Sequence, residues 1–262
     1  MGSSPQDVAA APEPIRATAP YSDAPVVSIV LPVYNEGDAV AAVLRGLAKA
    51  VATPHELVVV YDFDEDLTVP VVARLRAEIP NLRGLRNDLG RGVLNAMKAG
   101  IAGTTSPYVL ISMADGSDEP EVVDQMVRLA EAGADVVAAS RYMPGGKQIG
   151  GPLVKRLMSR TAGLTLHRFA GVHTHDPTNN FKMYSRRFLD ATFIESTAGF
   201  ELALELTVKA TLTGRQVAEV PTTWRDRTAG MSNFKLRKWL GQYLHWYRVA
   251  FTGRFRRGAP FS

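Results

Sequence analysis

Cysteine is absent from the 262 residues of this chain, which excludes disulfide bonds and thiolate metal sites. Long apolar runs are absent too, and none reaches the roughly 18 residues that a membrane-spanning helix needs. The first residues lack the basic and then apolar order of a secretory signal peptide. Residues 1–24 are rich in Ala, Pro, Ser and Asp without an apolar period, which predicts a disordered tail. We therefore expect a cytoplasmic protein that is at most peripheral to a membrane.

The composition is otherwise that of an ordinary globular protein, with 46% hydrophobic and 21% charged residues. This is enough apolar material for a sizeable core. The net charge of +4 is compatible with anionic substrates or a membrane surface, but it is small for a nucleic-acid-binding protein. We therefore expect no nucleic-acid partner, and the sequence leaves the oligomeric state open.

Short apolar runs alternate with segments of helical spacing in the first half of the chain. Strands that alternate with helices predict βαβ units and a parallel sheet. The predicted strands are apolar throughout, which is typical of a sheet covered on both faces. Strands are predicted at 26–33, 56–61, 81–86, 108–112, 134–139, 181–184 and 215–221. Helices are predicted at 38–51, 67–79, after the glycines at 90 and 92, and at 120–132, 155–169, 200–213 and 234–251.

Carboxylates follow the predicted strand at 108–112, in the sequence Met-Ala-Asp-Gly-Ser-Asp-Glu-Pro of residues 113–120. Ligands of open α/β sheets bind at the carboxyl ends of the strands, and clustered oxygen ligands there suit a hard divalent cation. Asp115 is the first predicted metal ligand. Ser117 and Asp118 are further candidates, because Met113 stands where a first aspartate is expected. The alternative is that residues 118–120 only cap the next helix.

Two other loops are candidates for binding a nucleotide. Four carboxylates follow the strand at 56–61, and Asp62 lies nearest the strand end, where it could accept a hydrogen bond from a nucleobase. The alternative is a solvated loop whose negative charges interact favourably with the dipole of the next helix at its N-terminus. Gly90 and Gly92 precede a helix, where they could let the backbone approach phosphate or simply form a turn.

Charged residues in the second half allow several interpretations. Arg141 suits a bidentate phosphate contact, and a surface salt bridge is the alternative. His173, His175 and Asp176 could form a metal site, although no other histidine lies near them in a matching pattern. Glu201 and Glu205, at i and i+4 of a helix, are more often ordinary helix charges.

Eight motifs taken together resemble those of family 2 glycosyltransferases of the GT-A fold, of the dolichol-phosphate mannose synthase type. The resemblance covers about residues 26–235. It implies an α/β GT-A fold, which has a Rossmann-like, mostly parallel central sheet flanked by helices, here with a C-terminal amphipathic helix. The motifs lie at residues 31–36, 60–68, 90–92, 113–121, 139–146, 176–182, 219–221 and 226–233.

The resemblance implies a hexosyltransferase that uses a GDP- or UDP-linked sugar and Mg²⁺ or Mn²⁺. A polyprenyl or dolichyl phosphate is the expected acceptor, reached by inverting displacement. The alternatives are a saccharide or small-molecule hydroxyl as acceptor, or a non-catalytic nucleotide-sugar-binding protein. The implied catalytic residues are Asp115, Arg141, Asp176 and Arg227. The implied nucleotide-sugar-binding residues are Pro32, Tyr34, Glu36, Asp62, Gly90, Gly92, Ala114, Asp115, Arg141, Arg227 and Lys235.

Asp176 distinguishes the two kinds of acceptor. With a hydroxyl acceptor it would be the general base, whereas a lipid phosphate is already anionic and needs no strong base. The chain also departs from the family pattern, because Tyr61 and Met113 replace aspartates and Phe63 replaces a glycine.

The same resemblance suggests a division of the chain. We expect a GT-A domain at 25–233, with a nucleotide-sugar-binding half at 25–146 and an acceptor half at 147–233. Residues 234–262 would form a basic, amphipathic helix and tail. That helix either lies in a membrane interface or packs on the core of its own domain.

Overall fold

The computed structural model describes residues 24–226 and 236–253, with the side chains of the last helix described from residue 240 onward. Within these ranges the chain forms a seven-stranded sheet and a separate two-stranded sheet. The strands are β1 (Val27–Pro32), β2 (His55–Tyr61), β3 (Leu82–Arg86), β4 (Tyr108–Ile111), β5 (Val136–Ser140), β6 (Lys147–Ile149), β7 (Lys182–Ser185), β8 (Val217–Pro221) and β9 (Thr223–Arg225). The helices are α1 (Ala39–Ala50), α2 (Val69–Leu75), α3 (Val93–Ala102), α4 (Val123–Glu131), α5 (Leu153–Phe169), α6 (Arg186–Asp190), α7 (Leu202–Leu212) and α8 (Leu236–Thr252).

The order of the large sheet is β3-β2-β1-β4-β7-β5-β8. Its neighbouring strands are parallel except at β7, which runs antiparallel to both β4 and β5. The prediction of a mostly parallel sheet is confirmed. The direction of β7 was not predicted, because a strand buried on both faces has the same apolar pattern in either direction.

Both faces of the sheet are covered, which explains why its strands are apolar throughout. Ile29 and Leu31 point into the core beneath α1, α2 and α4. Val30, between them, points to the opposite face, which is covered by α3, α6 and α7. Alternate side chains of one strand therefore enter two different cores.

Three short elements were missed by the sequence analysis. β6 and β9 pair with each other in parallel, and each has only three residues, too few to show a period. α6 has five residues and begins where the side chain of Ser185 accepts a hydrogen bond from the backbone N–H of Phe188, at 3.2 Å. This is an ordinary N-terminal cap, which supports a helix too short for a hydrophobic pattern.

The last helix packs on its own domain. Trp246, Val249 and Ala250 of α8 are buried in a third core cluster with Leu166 of α5 and Val208 of α7. Of the two interpretations offered for this helix, core packing is confirmed for the part described. Among the described residues, no helix is both long and apolar enough to cross a bilayer.

Gly163 of α5 lies close to the loop before β7. A Cβ atom at this position would lie 2.1 Å from the carbonyl oxygen of His175. The helix therefore lies directly on the loop that carries Asp176, and only glycine allows this approach.

We predict that Gly163→Ala destabilises the protein by about 1–3 kcal/mol, because the added methyl group forces α5 away from the loop. Gly46→Ala in α1 is the matched control, since a Cβ there meets nothing within 4 Å. That control should gain about 0.5–1 kcal/mol from helix propensity. Chemical denaturation measures both changes, and equal stabilities for the two variants would contradict the packing described.

Candidate active site

The antiparallel strand β7 brings the candidate residues of both halves together. Because β7 runs opposite to β4 and β5, its first residues lie beside their carboxyl ends. Lys182 is paired with Ile111 of β4 and with Ala138 of β5. The loop that precedes β7 and carries Asp176 thus lies between the segment that follows β4 and Arg141, which follows β5.

Arg141 and Asp176 form a buried, bidentate ion pair. Nε of Arg141 donates to Oδ2 of Asp176 at 2.6 Å, and Nη2 donates to Oδ1 at 2.9 Å. The backbone N–H of Arg141 adds a third bond at 3.1 Å. Burial alone would raise the pKa of Asp176, but Arg141 and Lys182 hold it below its ordinary value. Asp176 is therefore a carboxylate at neutral pH and a weak base, and the salt bridge of Arg141 is internal rather than on the surface.

Lys182 lies beneath this pair and shapes its loop. Its Nζ atom donates to the carbonyl oxygens of Asp176, at 2.8 Å, and of Asn179, at 2.5 Å. Burial lowers the pKa of Lys182 to about 7, although the charge of Asp176 opposes this shift. Lys182 was not predicted as a residue of the site. A lysine within the apolar run at 181–184 was the available signal.

His175 is held by protein groups rather than by a metal. Glu219 of β8 accepts hydrogen bonds from the backbone N–H of His175 at 2.8 Å, from its Nδ1 at 2.6 Å and from Thr174 Oγ1 at 2.9 Å. The ring of His175 also stacks on that of His167, with centroids 4.1 Å apart. In the described part of the chain, no three His, Cys, Asp or Glu side chains converge as a metal site. The histidine-metal interpretation therefore has no support.

The segment after β4 contains oxygen atoms suited to a cation. Oδ1 of Asp115 accepts the backbone N–H of Ser117 at 3.1 Å. The buried Ser117 Oγ and Asp118 Oδ1 atoms have no hydrogen-bond partner among the described residues. Burial and then the charge of Asp115 raise the pKa of Asp118 to about 7. Unpartnered oxygens beside a second carboxylate favour a cation there, and Mg²⁺ commonly takes only one or two carboxylates plus substrate phosphates.

The small sheet anchors this segment. The backbone N–H of Arg225 donates to the carbonyl oxygen of Ser117 at 3.0 Å, and that of Thr223 donates to Glu119 Oε2 at 2.7 Å. A cleft of about 320 Å³ between β9 and the segment is bordered by Ser117 and Asp118. No side chain caps the 3₁₀ turn Pro120–Val122. Pro120 does begin this turn, which runs directly into α4, as the capping interpretation expects, but the side-chain hydrogen bond of a cap is not formed there.

Asp62 holds the glycine turn that precedes α3. Its Oδ1 accepts from Asn87 Nδ2 at 2.7 Å, and its Oδ2 accepts from the backbone N–H of Gly92 at 2.8 Å. Gly92, with a φ of 131°, adopts a conformation that side chains disfavour. Asp62 thus fixes the glycine turn, and a bond from Asp62 to a nucleobase stays a prediction.

An aromatic and cationic cluster lies beside Asp62. The ring of Phe63 meets the exposed ring of Tyr34 edge-on at 5.8 Å between centroids. The guanidinium of Arg91 lies 4.7 Å from the centre of the Phe63 ring. Tyr34 is a predicted nucleotide-sugar-binding residue, whereas Phe63 and Arg91 were not predicted. The signal for Phe63 was its departure from the family pattern.

The remaining candidate residues divide between described and undescribed parts of the chain. Pro32 ends β1 at the same edge of the sheet, and Ala114 is buried within the segment after β4. The backbone N–H of Glu36 donates to Thr68 Oγ1 at 3.1 Å, and Gly90 has a φ of 96°. Arg227 and Lys235 lie outside the described residues.

Glu201 and Glu205 are not ordinary helix charges, which corrects the sequence-based interpretation. Both are fully buried. Glu205 accepts the backbone N–H groups of Glu195 and Ser196 and pairs with Lys209 at 2.8 Å. Glu201 accepts those of residues 198 and 199. The two carboxylates hold the loop 195–200 by its backbone donors.

Comparison with known proteins identifies the family. Residues 28–193 match the family described as Glycosyl transferase family 2. The chain belongs to this family. The family and the predicted enzyme class, a glycosyltransferase, are confirmed.

Three relatives show how far the similarity of this glycosyltransferase extends. Polyprenol monophosphomannose synthase of Mycolicibacterium smegmatis is 30% identical over 78% of this chain and 79% of that protein. Undecaprenyl-phosphate mannosyltransferase of Micrococcus luteus is 32% identical over 79% of this chain and 86% of that protein. Dolichol-phosphate mannosyltransferase of Pyrococcus furiosus is 26% identical over 90% of this chain and 67% of that protein. The resemblance to the dolichol-phosphate mannose synthase type is therefore confirmed.

The fold also matches a solved structure. Glucosyl-3-phosphoglycerate synthase from Mycobacterium tuberculosis, crystallised with Mn²⁺, UDP and glucosyl-3-phosphoglycerate, superimposes with a TM-score of 0.60 at 20% identity. The match covers 91% of this chain and 82% of that one. It confirms the predicted GT-A fold of this glycosyltransferase.

We predict that Lys182→Met lowers the unfolding free energy by about 1–3 kcal/mol at neutral pH, because two buried carbonyl oxygens lose their donor. The pKa of a lysine side chain in the unfolded chain is about 10.4. Between about pH 7 and pH 10, the unfolded chain therefore binds more protons at this residue than the folded chain, and the stability of wild type should rise with pH relative to the variant.

Urea denaturation across that pH range measures both effects. Lys49→Met, at an exposed position of α1, is the control and should leave stability and its pH dependence unchanged. A wild-type stability that falls with pH relative to Lys182→Met would contradict the lowered pKa.

Proposed function

We propose that this glycosyltransferase transfers a hexose from a nucleotide-diphosphate sugar to a polyprenyl phosphate, with inversion at the anomeric carbon. The buried Arg141–Asp176 pair is the observation that carries the proposal. A hydroxyl acceptor needs a base to remove its proton, and Asp176 is held as a weak base by two bonds from Arg141. A phosphate acceptor needs no deprotonation. The names of the three relatives, which specify polyprenol, undecaprenyl-phosphate and dolichol-phosphate, agree with this choice.

Asp115, Ser117 and Asp118 are the residues that would hold a divalent cation. When bound, the cation would supply Lewis-acid stabilisation of the charge that develops on the diphosphate. The unpartnered oxygens of Ser117 and Asp118 support this assignment. The structural neighbour was crystallised with Mn²⁺ and UDP, which agrees with it. The choice between Mg²⁺ and Mn²⁺ and between GDP and UDP is open to measurement.

The nucleotide would lie along the ends of β1 and β2. Pro32, Tyr34 and Asp62 border this position. The ring of Phe63, covered by Arg91 on one side, offers a flat surface for a base, and stacking on an aromatic ring tolerates different bases. Asp62 holds the glycine turn so that its backbone can approach the phosphates.

The transfer itself requires little proton movement. An oxygen of the acceptor phosphate forms the new bond to the anomeric carbon, and the bond from that carbon to the diphosphate breaks with its electron pair leaving on the diphosphate. Arg141 lies where its charge can orient an anionic acceptor, and Asp176 is a positioning residue that fixes the guanidinium.

We predict that the full chain, with Mn²⁺ and a radiolabelled GDP- or UDP-hexose, forms a lipid-extractable product only when polyprenyl phosphate is added. The variant Asp176→Asn should lower kcat but keep the pH dependence of wild type, because no proton is transferred to this side chain. The measurement is initial rate against pH for both proteins.

A loss of about 10²–10⁴-fold in Asp176→Asn, together with loss of the acidic limb of the profile, would indicate a general base and a hydroxyl acceptor. Absence of lipid product with every donor would also contradict the proposal. Melting temperatures of both proteins serve as the control for folding.

We predict that a nucleotide-diphosphate sugar raises the melting temperature in the presence of Mn²⁺, and that Asp115→Ala abolishes the metal-dependent part of the shift. A ligand that binds only the folded state stabilises it by mass action. Asp88→Ala, whose side chain is 84% exposed, is the matched control. An equal metal-dependent shift in Asp115→Ala would exclude this residue as a ligand.

A further inference from the structure

The guanidinium of Arg141 keeps one nitrogen atom that no described residue binds. Nε and Nη2 donate to Asp176, and Nη2 also lies 3.3 Å from the hydroxyl of Ser159. In the part of the chain that the structure describes, Nη1 donates to no acceptor. The side chain is 12% exposed, so it is not sealed from solvent. An arginine whose other N–H groups are already bonded can offer the remaining one to an anion.

Two aromatic rings lie close to this guanidinium. Its Cζ atom is 4.9 Å from the centre of the Tyr142 ring and 6.0 Å from that of the Trp224 ring. Both distances are within the roughly 6 Å over which a ring attracts a cation. A flat guanidinium stacks on aromatic faces, which restricts its rotation. The rings therefore add to the bonds from Asp176 in deciding the direction of Nη1.

The hydroxyl of Tyr142 ties its ring to the small sheet. It donates to Oε1 of Gln148 in β6 at 2.8 Å, and Gln148 is paired with Trp224 of β9. β9 is bonded in turn to the segment after β4, by two of its backbone N–H groups. Tyr142 thus connects Arg141 to an element with hydrogen bonds of its own rather than to a free loop.

A tight glycine turn brings Tyr142 and Gln148 together. The backbone N–H of Gly146 donates to the carbonyl oxygen of Met143 at 2.9 Å. A Cβ atom on Gly146 would collide with the carbonyl oxygen of Ser140, so the approach is open only to glycine. The chain can therefore reverse within the six positions that separate the tyrosine from the glutamine.

We propose that Tyr142 is a positioning residue, whose ring and hydroxyl orient the Arg141 guanidinium so that Nη1 binds an anionic group of the substrate. Tyr142 acts through Arg141 and does not itself contact the reacting atoms. That the anion is the acceptor phosphate rests on the proposed function, but anion binding at Arg141 is measured without turnover. A charge that is oriented in advance loses less freedom when the substrate binds.

The first test is titration of the full chain with inorganic phosphate, without metal, followed by the ¹⁵N–¹H signal of Arg141 Nε. In wild type this signal should shift as phosphate binds. Tyr142→Leu should bind phosphate about 5–30-fold more weakly, because the attraction of the ring for the guanidinium is lost. In the free protein the same variant should also move the proton shift of Nε–H, since the ring current of Tyr142 is removed.

The second test separates the hydroxyl of Tyr142 from its ring. Tyr142→Phe keeps the ring and should weaken phosphate binding by about 2–10-fold, the worth of one hydrogen bond. Gln148→Leu should have the same effect. The double variant should bind no more weakly than either single variant, because both substitutions remove the same bond. Additive effects would overturn the connection to β6. These two variants also keep the inference testable if Tyr142→Leu does not fold.

A tyrosine far from Arg141 provides the matched control. Tyr108 begins β4, at the end of the strand opposite to the candidate site. Tyr108→Phe should bind phosphate as wild type does. The rise in melting temperature caused by a nucleotide-diphosphate sugar with Mn²⁺ should be the same in Tyr142→Leu and in wild type. An equal loss of donor and phosphate binding would indicate a merely structural role and would overturn the inference.

Turnover distinguishes this inference from the proposed function. Tyr142→Leu should raise KM for polyprenyl phosphate by about 5–30-fold and leave KM for the donor unchanged. Phosphate binding that depends on Tyr142, without transfer to polyprenyl phosphate by wild type, contradicts only the proposed function. Transfer with the same acceptor KM in every variant contradicts only the role of Tyr142. Absence of a phosphate-dependent shift of the Arg141 signal in wild type, or equal phosphate binding by Tyr142→Leu, also overturns that role.

Discussion

The candidate site depends on the buried ion pair between Arg141 and Asp176. Removing two charges from water is costly unless each is paired and further hydrogen-bonded. Here the carboxylate receives three bonds from Arg141, and the carbonyl oxygen of Asp176 receives a fourth from Lys182. The pair joins the end of β5 to the loop before β7, so losing either partner would leave an uncompensated buried charge in the candidate site.

Several carboxylates of the domain hold loops in place. Asp62, Glu119, Glu201, Glu205 and Glu219 accept hydrogen bonds from backbone N–H groups. Asp118 differs, because one of its oxygens is buried without a partner among the described residues. Native structures rarely leave such atoms unsatisfied. This contrast is why Asp118 is proposed as a metal ligand, whereas the other carboxylates maintain the architecture.

Helix α5 contacts the candidate site with one side and solvent with the other. Gly163 and Ser159 of α5 contact the loop and the arginine of the site, while Leu153, Leu157 and Leu164 of the same helix face solvent. A helix has enough circumference for both, since residues three or four apart share a side. The position of α5 therefore fixes the loop of Asp176 against the rest of the domain.

Local patterns in the sequence determined the family, the alternation of strands and helices, the positions of Asp115 and Arg141 after strands, and that of Asp176 in a loop before one. These features depend on neighbouring residues, so hydrophobic period and motif spacing were sufficient. The division into residues 25–146 and 147–233 and the individual roles of the site residues stay predictions. Tertiary structure alone decided the direction of β7, the pairing of β6 with β9, the burial of Glu201 and Glu205, and the outward position of the α5 leucines. Each of these depends on partners distant in the chain, whose contacts leave no local period to detect.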